Sequence, residues 1–421
     1  MVERNWAGNV AYGAAAFHNP TNVAQLQSIV AASTKVRGLG SRHSFNTIAD
    51  TTGDLISLSS LERTADFDTL ARTITVDGGF KYGELATVLD ARGWALANLA
   101  SLPHISVAGA CATGTHGSGV GNGGLATAVQ AMELVTASGD LVDVSRDDDP
   151  ELMDALTVGL GAFGIVTRQT LSIEPTFQVR QRVYEHLPMS TAIARLGEIM
   201  ADGYSVSLFT SWRSDTIEQM WRKERIAVDD DEGDDGLGGT RFGAMPATRN
   251  LHPIAALSAE PCTEQMGVAG PWHERLPHFR MGFTPSSGEE LQSELFVANA
   301  DAPAAIQALL ELHDLLAPVL MISEVRAVAA DSLWLSPCHG RDCIAFHFTW
   351  IPSWADVEPV LAAVESALQP FAPRPHWGKL STISGDVIRS RVERMGDLER
   401  LLAEWDPTRK FRNNYLDEIL S

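Results

Sequence analysis

Val36-Arg-Gly-Leu-Gly-Ser-Arg-His-Ser-Phe-Asn46 decides how this chain is read. A strand-like start, Thr34-Lys-Val-Arg, runs into Gly38 and Gly40, and the loop of small residues that follows carries a single histidine, His43. A second stretch of the same character is Ser101-Leu-Pro-His-Ile-Ser-Val-Ala-Gly-Ala-Cys-Ala-Thr-Gly-Thr-His-Gly-Ser-Gly119. Both loops offer main-chain N–H groups with little side-chain obstruction, which suits an oxyanion such as a diphosphate. Two separated loops of this kind, with strands on either side, point to a large dinucleotide lying across a domain.

The surrounding sequence supports a mixed architecture. Asp54-Leu-Ile-Ser-Leu58, the alternating Ile74 and Val76, Met132–Val135, Leu141–Val144 and Ile165–Ile173 read as strands, being apolar runs bounded by turn residues. Leu85, Val88 and Leu89 recur at helical spacing between Tyr82 and Arg92, with Gly93 as the stop. Glu174-Pro175 closes this region. Toward the end, Lys379–Ser384 reads as a strand and Leu398–Trp405 as a helix.

Several tempting motifs fail on context. Gly159-Leu-Gly-Ala-Phe-Gly164 matches the dinucleotide fingerprint in letters but leads into a strand, whereas that fingerprint must open a helix whose N-terminus meets the pyrophosphate. Gly119-Val-Gly-Asn-Gly-Gly124 lacks a preceding strand. In His273-Glu-Arg-Leu-Pro-His278 the histidines are five apart and Pro277 interrupts any helix, so no metal site is expected. Asp229–Asp235 is read as a solvated acidic loop, since the ligand spacing of a calcium loop is missing.

Composition removes whole classes of function. A net charge of −21 over 421 residues disfavours nucleic acid and anionic membrane surfaces as partners. No uncharged apolar stretch reaches membrane-spanning length. Four cysteines without a C-x-x-C pair, after an N-terminus with no apolar leader segment, suggest a reduced, cytoplasmic compartment. A monomer is expected.

With the two loops in view, the chain resembles the vanillyl-alcohol-oxidase type of FAD enzymes, and within it the polyol branch, the alditol oxidases. The loops carry the first part of the likeness. Ala269-Gly-Pro-Trp-His-Glu-Arg-Leu-Pro-His-Phe-Arg280, Glu324-Val-Arg326, His347-Phe-Thr349, Arg374-Pro-His-Trp-Gly-Lys379, Asp406-Pro and Phe411-Arg-Asn-Asn414 carry the rest. The resemblance implies an α+β protein of two domains. An FAD-binding domain would be built from residues 1–175 and a returning segment, 372–421, around a substrate (cap) domain with an antiparallel sheet over 176–371. It further implies FAD held covalently through His43. The flavin would be lined by Gly38, Gly40, Ser41, Arg42 and Ser44 from the first loop, and by Ser106, Gly109, Thr113, Gly114, Thr115, His116, Gly117 and Ser118 from the second, with Ile165 beyond them. A lone histidine is otherwise most often a satisfied surface or core residue, and a lone glycine a plain turn.

Glu324 and Arg326 are two apart, as are His347 and Thr349, so on strands each pair projects to one face. From spacing alone a polar substrate wall and a solvated sheet face with an ordinary ion pair fit equally well. The resemblance implies the wall. It puts Arg326 and Lys379 at the reacting oxygen, where positive charge stabilises a developing alkoxide. Ser101, Glu324, His347 and Thr349 would grip the other hydroxyls. The expected reaction is oxidation of the terminal hydroxyl of a polyol such as xylitol or sorbitol, by hydride transfer to the flavin, with O2 reduced to hydrogen peroxide. A sugar-lactone oxidase or dehydrogenase is the alternative within the class, and a flavin- or sugar-binding protein without catalysis the alternative outside it.

Overall fold

A computed structural model describes residues 3–226, 239–283 and 289–420; the acidic run Asp229–Asp235 lies outside them. The fold is α+β, with three principal sheets. The first is parallel and small: β1 (Ala16–His18), β2 (Val36–Leu39) and β3 (Asp54–Ser57), in the order β1-β3-β2. The second is antiparallel: β4 (Ala65–Asp68), β5 (Thr73–Asp77), β6 (Val129–Val135), β7 (Leu141–Ser145) and β8 (Ile165–Ser172), in the order β4-β5-β8-β6-β7. As the sequence suggested, Gly164 leads into β8 and not into a helix.

The third sheet is the largest of the three. Its long strands are β9 (Gln178–Pro188), β10 (Ser205–Thr210), β11 (Thr216–Ile226), β12 (Leu291–Ala298), β13 (Leu320–Val328) and β14 (Cys343–Trp350). They pair antiparallel in the order β9-β11-β10-β13-β14-β12. Period-two alternation divides each strand between two environments. In β14, Ile344, Phe346, Phe348 and Trp350 join one apolar core, shared with the helices Ala302–Leu310 and Trp354–Leu368. Ala345, His347 and Thr349 face the other way. Leu291, Leu295 and Val297 of β12, and Val325 and Ala327 of β13, obey the same parity. Truncating a fully buried aromatic such as Phe346 to alanine would cost about 3–5 kcal/mol, so the face that points into the core fixes the register.

The tail of the chain packs back on its beginning. Val36 donates its amide to the Lys410 carbonyl at 3.0 Å. The Arg37 side chain, 3% exposed, donates to the carbonyls of Ile48, Leu160, Gly161 and Phe411 at 2.5–2.9 Å. One guanidinium therefore ties its strand to three other segments, at Ile48, Leu160–Gly161 and Phe411. The second glycine loop is joined to the large sheet: Gly119 donates to the Ala327 carbonyl, and Ala329 to that of Asn122, both at 2.9 Å.

Two local readings are corrected. Lys379–Ser384 is not a strand; within it only Leu380 makes a bridge, to Ser293. The Glu365 carboxylate captures this segment instead, accepting from the Ser381 hydroxyl at 2.7 Å and the Thr382 amide at 3.0 Å, and these side-chain bonds displace a ladder. The second glycine stretch is not wholly loop, because Val107–Ala112 forms a short helix. Among the described residues, no helix is long and apolar enough to cross a membrane.

Candidate active site

Where the two glycine loops cross, their serines exchange hydrogen bonds. Ser106 donates its amide to Ser41 Oγ at 3.0 Å, and the Ser41 amide points back at Ser106 Oγ at 3.3 Å. A Cβ on Gly40 would stand 2.4 Å from Ser106 Oγ, and one on Gly109 2.6 Å from it. The glycines are required here for approach. Arg42 takes a left-handed backbone, φ 66°, and its guanidinium pairs outward with Glu3.

The loops form one end of a cavity of about 480 Å³, within the range of small-molecule and cofactor sites. His43 lines it, and Nδ1 of its ring is buried without a hydrogen-bond partner. Trp6 stacks on the imidazole with centroids 5.3 Å apart. Burial pushes the His43 pKa down to about 4, so the ring is neutral at pH 7. A bare cradle of glycines, two crossing loops and a neutral imidazole with an unpartnered Nδ1 are suited to a large bound cofactor. Of the flavin residues expected from the sequence, Gly114, Gly117, Ser118 and Ile165 do not line the cavity, whereas the others do. Ser118 turns away to donate to the Val206 carbonyl, and Gly114 sits against Pro337 and Val158.

The other end of the cavity is the large sheet. Strand register puts Phe209, Glu324, His347 and Glu294 side by side on one rung across four strands. Arg326 and Thr349 lie one repeat away on the same face. All six line the cavity, with Ser101 and Lys379. The predicted substrate residues are thus brought together, and Arg326 Nη1 donates to Ser101 Oγ at 3.2 Å.

At the centre stands a residue that the sequence reading missed. Glu294, 1% exposed, accepts from Arg326 Nη2 at 2.8 Å, lies 2.9 Å from Lys379 Nζ and is 3.2 Å from His116 Nε2. A signal for it existed: Glu290-Leu-Gln-Ser-Glu294 alternates polar with apolar or small residues, and Glu290, Gln292 and Glu294 all line the cavity. Burial alone would raise the Glu294 pKa, but Lys379, His116 and Arg326 together hold it well below the usual carboxylate range. Glu324 behaves alike, burial being outweighed by Arg326 and His278. The histidines go the other way: burial lowers His347 and His278 to about 4 and depresses His116 and His376 as well. The wall therefore holds two carboxylates, the firm cation Arg326, the amine of Lys379 and neutral imidazoles. Burial lowers the Lys379 pKa, opposed by Glu294, and Lys379 Nζ donates to His347 Nδ1 at 2.7 Å.

Two further residues connect the ends. Asn46, three residues after His43, donates to the carbonyls of Trp377 and Lys379, both at 2.8 Å, so the histidine loop holds the lysine loop in place. His278 faces Glu324, whereas His273 lies 3.7 Å from Asp90; the two histidines serve different partners.

Residues 14–145 match the FAD binding domain family and residues 292–419 the D-arabinono-1,4-lactone oxidase family. The chain is 48% identical to an alditol oxidase from a Streptomyces species over 99% of this chain and 98% of that one. It is 28% identical to an L-gulono-1,4-lactone dehydrogenase from Mycobacterium tuberculosis, over 99% and 98% of the two chains. A crystal structure of cholesterol oxidase from B. sterolicum superposes with a TM-score of 0.76 at 15% identity, covering 100% of this chain and 96% of that one, a likeness of fold.

Proposed function

The chain belongs to the alditol oxidase family of FAD-dependent oxidoreductases, and on that premise we propose that it oxidises the terminal hydroxyl of a small alditol such as xylitol or sorbitol to the aldose, with FAD joined covalently to His43 and O2 reduced to hydrogen peroxide. The observation that carries this reading is the rung of Glu324, His347 and Glu294, flanked by Arg326 and Thr349, at the opposite end of one cavity from the crossed glycine loops. Bound FAD supplies the acceptor for the two electrons and the hydrogen of the carbinol C–H. The overall change is balanced: one alcohol and one O2 give one aldehyde and one hydrogen peroxide.

The side chains divide the remaining work. Arg326 and Lys379 bring positive charge to a largely buried wall, where they favour the alcohol oxygen as it loses its proton. Glu294 holds both cations by direct contact and so sets where that charge lies. Neutral His347, receiving a bond from Lys379 at Nδ1, keeps Nε2 toward Thr349 at 3.1 Å, an arrangement with both donor and acceptor capacity for hydroxyls. A chain bearing several hydroxyls satisfies such a wall, and a substrate lacking one leaves a buried polar group without a partner, at a cost of about 1–3 kcal/mol. The covalent assignment is supported by the neutral ring of His43 and its unpartnered Nδ1, since neutral imidazole is a competent nucleophile.

The same reading takes residues 1–175 and 372–421 as the flavin part and 176–371 as the substrate part, supported by the bonds that join Val36 and Arg37 to Lys410 and Phe411. Lys379 comes from the returning segment, so the wall draws on both. A cytoplasmic location is supported by four buried, unbridged cysteines.

The match of residues 292–419 to a lactone oxidase family favours lactone oxidation as a second reading. One experiment separates the two. The holoenzyme is mixed anaerobically with xylitol, the visible flavin band is followed, and air is then admitted. Rapid bleaching, with recovery and peroxide release in air, is the expected result. Bleaching by L-gulono-1,4-lactone but not by xylitol would replace the polyol reading with the lactone one.

A further inference from the structure

Lys223 lies on β11, three strands from His347, and is 1% exposed. No step of the reaction above uses it. Its ammonium group is nevertheless completely engaged: Nζ donates to the carbonyl of Leu276, to that of Pro277 at 3.2 Å, and to His278 Nδ1 at 3.1 Å. Three acceptors use all three N–H bonds of the charged form. Burial lowers this lysine to about 7, with Glu324 as the chief opposing influence.

His278, 4% exposed, passes the contact on. Its Nε2 lies 2.7 Å from Glu324 Oε1. A carboxylate held in its ionised form can only accept, so Nε2 must carry the proton and Nδ1 must be bare. A bare Nδ1 in a buried place requires a donor, and Lys223 is that donor. With the opposite tautomer, a nitrogen lone pair would face the carboxylate, and Glu324 would have to turn away or take up a proton. The rings of Phe209 and Trp221 pack edge-on against His278 with centroids 5.6 and 5.1 Å away, which restricts ring rotation. Glu324 Oε1 is thus occupied by His278 and lies 3.6 Å from Arg326 Nε, while Oε2 makes no hydrogen bond with the described residues.

We infer that Lys223 and His278 are positioning residues for substrate recognition: the lysine fixes the imidazole in its Nε2–H form, and that N–H holds the Glu324 carboxylate by one oxygen, leaving the other for a substrate hydroxyl. The inference rests on the proposed polyol reading for the identity of the substrate, but the tautomer it requires does not. It also explains the pattern Leu-Pro-His278 chemically: the carbonyls of Leu276 and Pro277 seat the lysine that orients the next residue.

Two measurements test it. In the first, the Lys223→Met holoenzyme is assayed with xylitol. KM is expected to rise about tenfold or more, the equivalent of losing one charge-assisted hydrogen bond, with a much smaller change in kcat. The same substitution made in a Glu324→Gln background is expected to raise KM less than about twofold further, because residues acting through one group are not additive. An unchanged KM in Lys223→Met, or full additivity with Glu324→Gln, overturns the inference. In the second, 15N NMR of the wild-type holoenzyme reads the His278 ring, assigned by its loss in His278→Gln. A protonated Nε2 and a bare Nδ1 are expected; the reverse tautomer overturns the inference even if Lys223→Met fails to fold. Wild-type protein inert toward every polyol would defeat the functional reading and leave the tautomer result to decide the relay.

Discussion

His43 and Glu294 differ in how much of their role a sequence can reveal. His43 stands out because it is the lone histidine of a glycine loop, and its half-buried position, neutral ring and unpartnered Nδ1 suit the proposed point of attachment. The expected outcome is direct: His43→Ala protein, denatured and run on a gel, shows no flavin fluorescence in its band, whereas wild type does. A fluorescent mutant band would move the attachment elsewhere. Glu294 carries no such label. Its importance comes from Arg326, Lys379 and His116, which are 32, 85 and 178 residues away in sequence, and only strand register brings them together. Removing one partner of such a buried set leaves an uncompensated charge, which is why it is more than an ordinary ion pair.

Among the elements, those with a strong local period were legible. β2, β3, β5 and β8, and the helix Tyr82–Asp90, fall where apolar spacing put them. The two-residue spacing of Glu324 with Arg326, and of His347 with Thr349, correctly implied a shared face. Lys379–Ser384 was misread because its pattern is that of a strand, while its amides and hydroxyls go to Glu365, a carboxylate fourteen residues upstream of Lys379 that no local rule would nominate. Lys223 and His278 were passed over for the same reason: their significance lies across the sheet. The crossing of the glycine loops also belongs to this scale. Gly40→Ala would drive a methyl to 2.4 Å from Ser106 Oγ and break the Ser41–Ser106 exchange. A loss of about 1–3 kcal/mol is expected, together with reduced flavin content, read from the melting temperature and the ratio of visible to ultraviolet absorbance. Gly121→Ala, with nothing within 4 Å of its Cβ, serves as the control and is expected to leave both unchanged.

For the whole molecule, buried neutral histidines make stability depend on pH in a definite direction. His278 and His347 titrate near 4 in the folded protein and near 6.5 when unfolded. Between these values the unfolded chain binds more protons, so the contribution of these two rings is complete above pH ~6.5 and is lost as pH falls toward 4, by on the order of 3 kcal/mol for each residue. The depressed carboxylates Glu294 and Glu324 extend the loss below the ordinary carboxylate range. Denaturant midpoints of the holoenzyme should therefore fall from pH 7 to pH 4.5; a flat profile would count against neutral burial of these rings. The four-way anchorage of Arg37 has a consequence in time. On the ribosome the chain emerges N-terminus first, at roughly 5–20 residues per second. The Phe411 carbonyl follows Arg37 by 374 residues, so strand β2 waits roughly 20–75 s at those rates for its last neighbour. The Arg37 anchorage at the cofactor end of the cavity is thus completed only after the wall strands β12, β13 and β14 have all been translated.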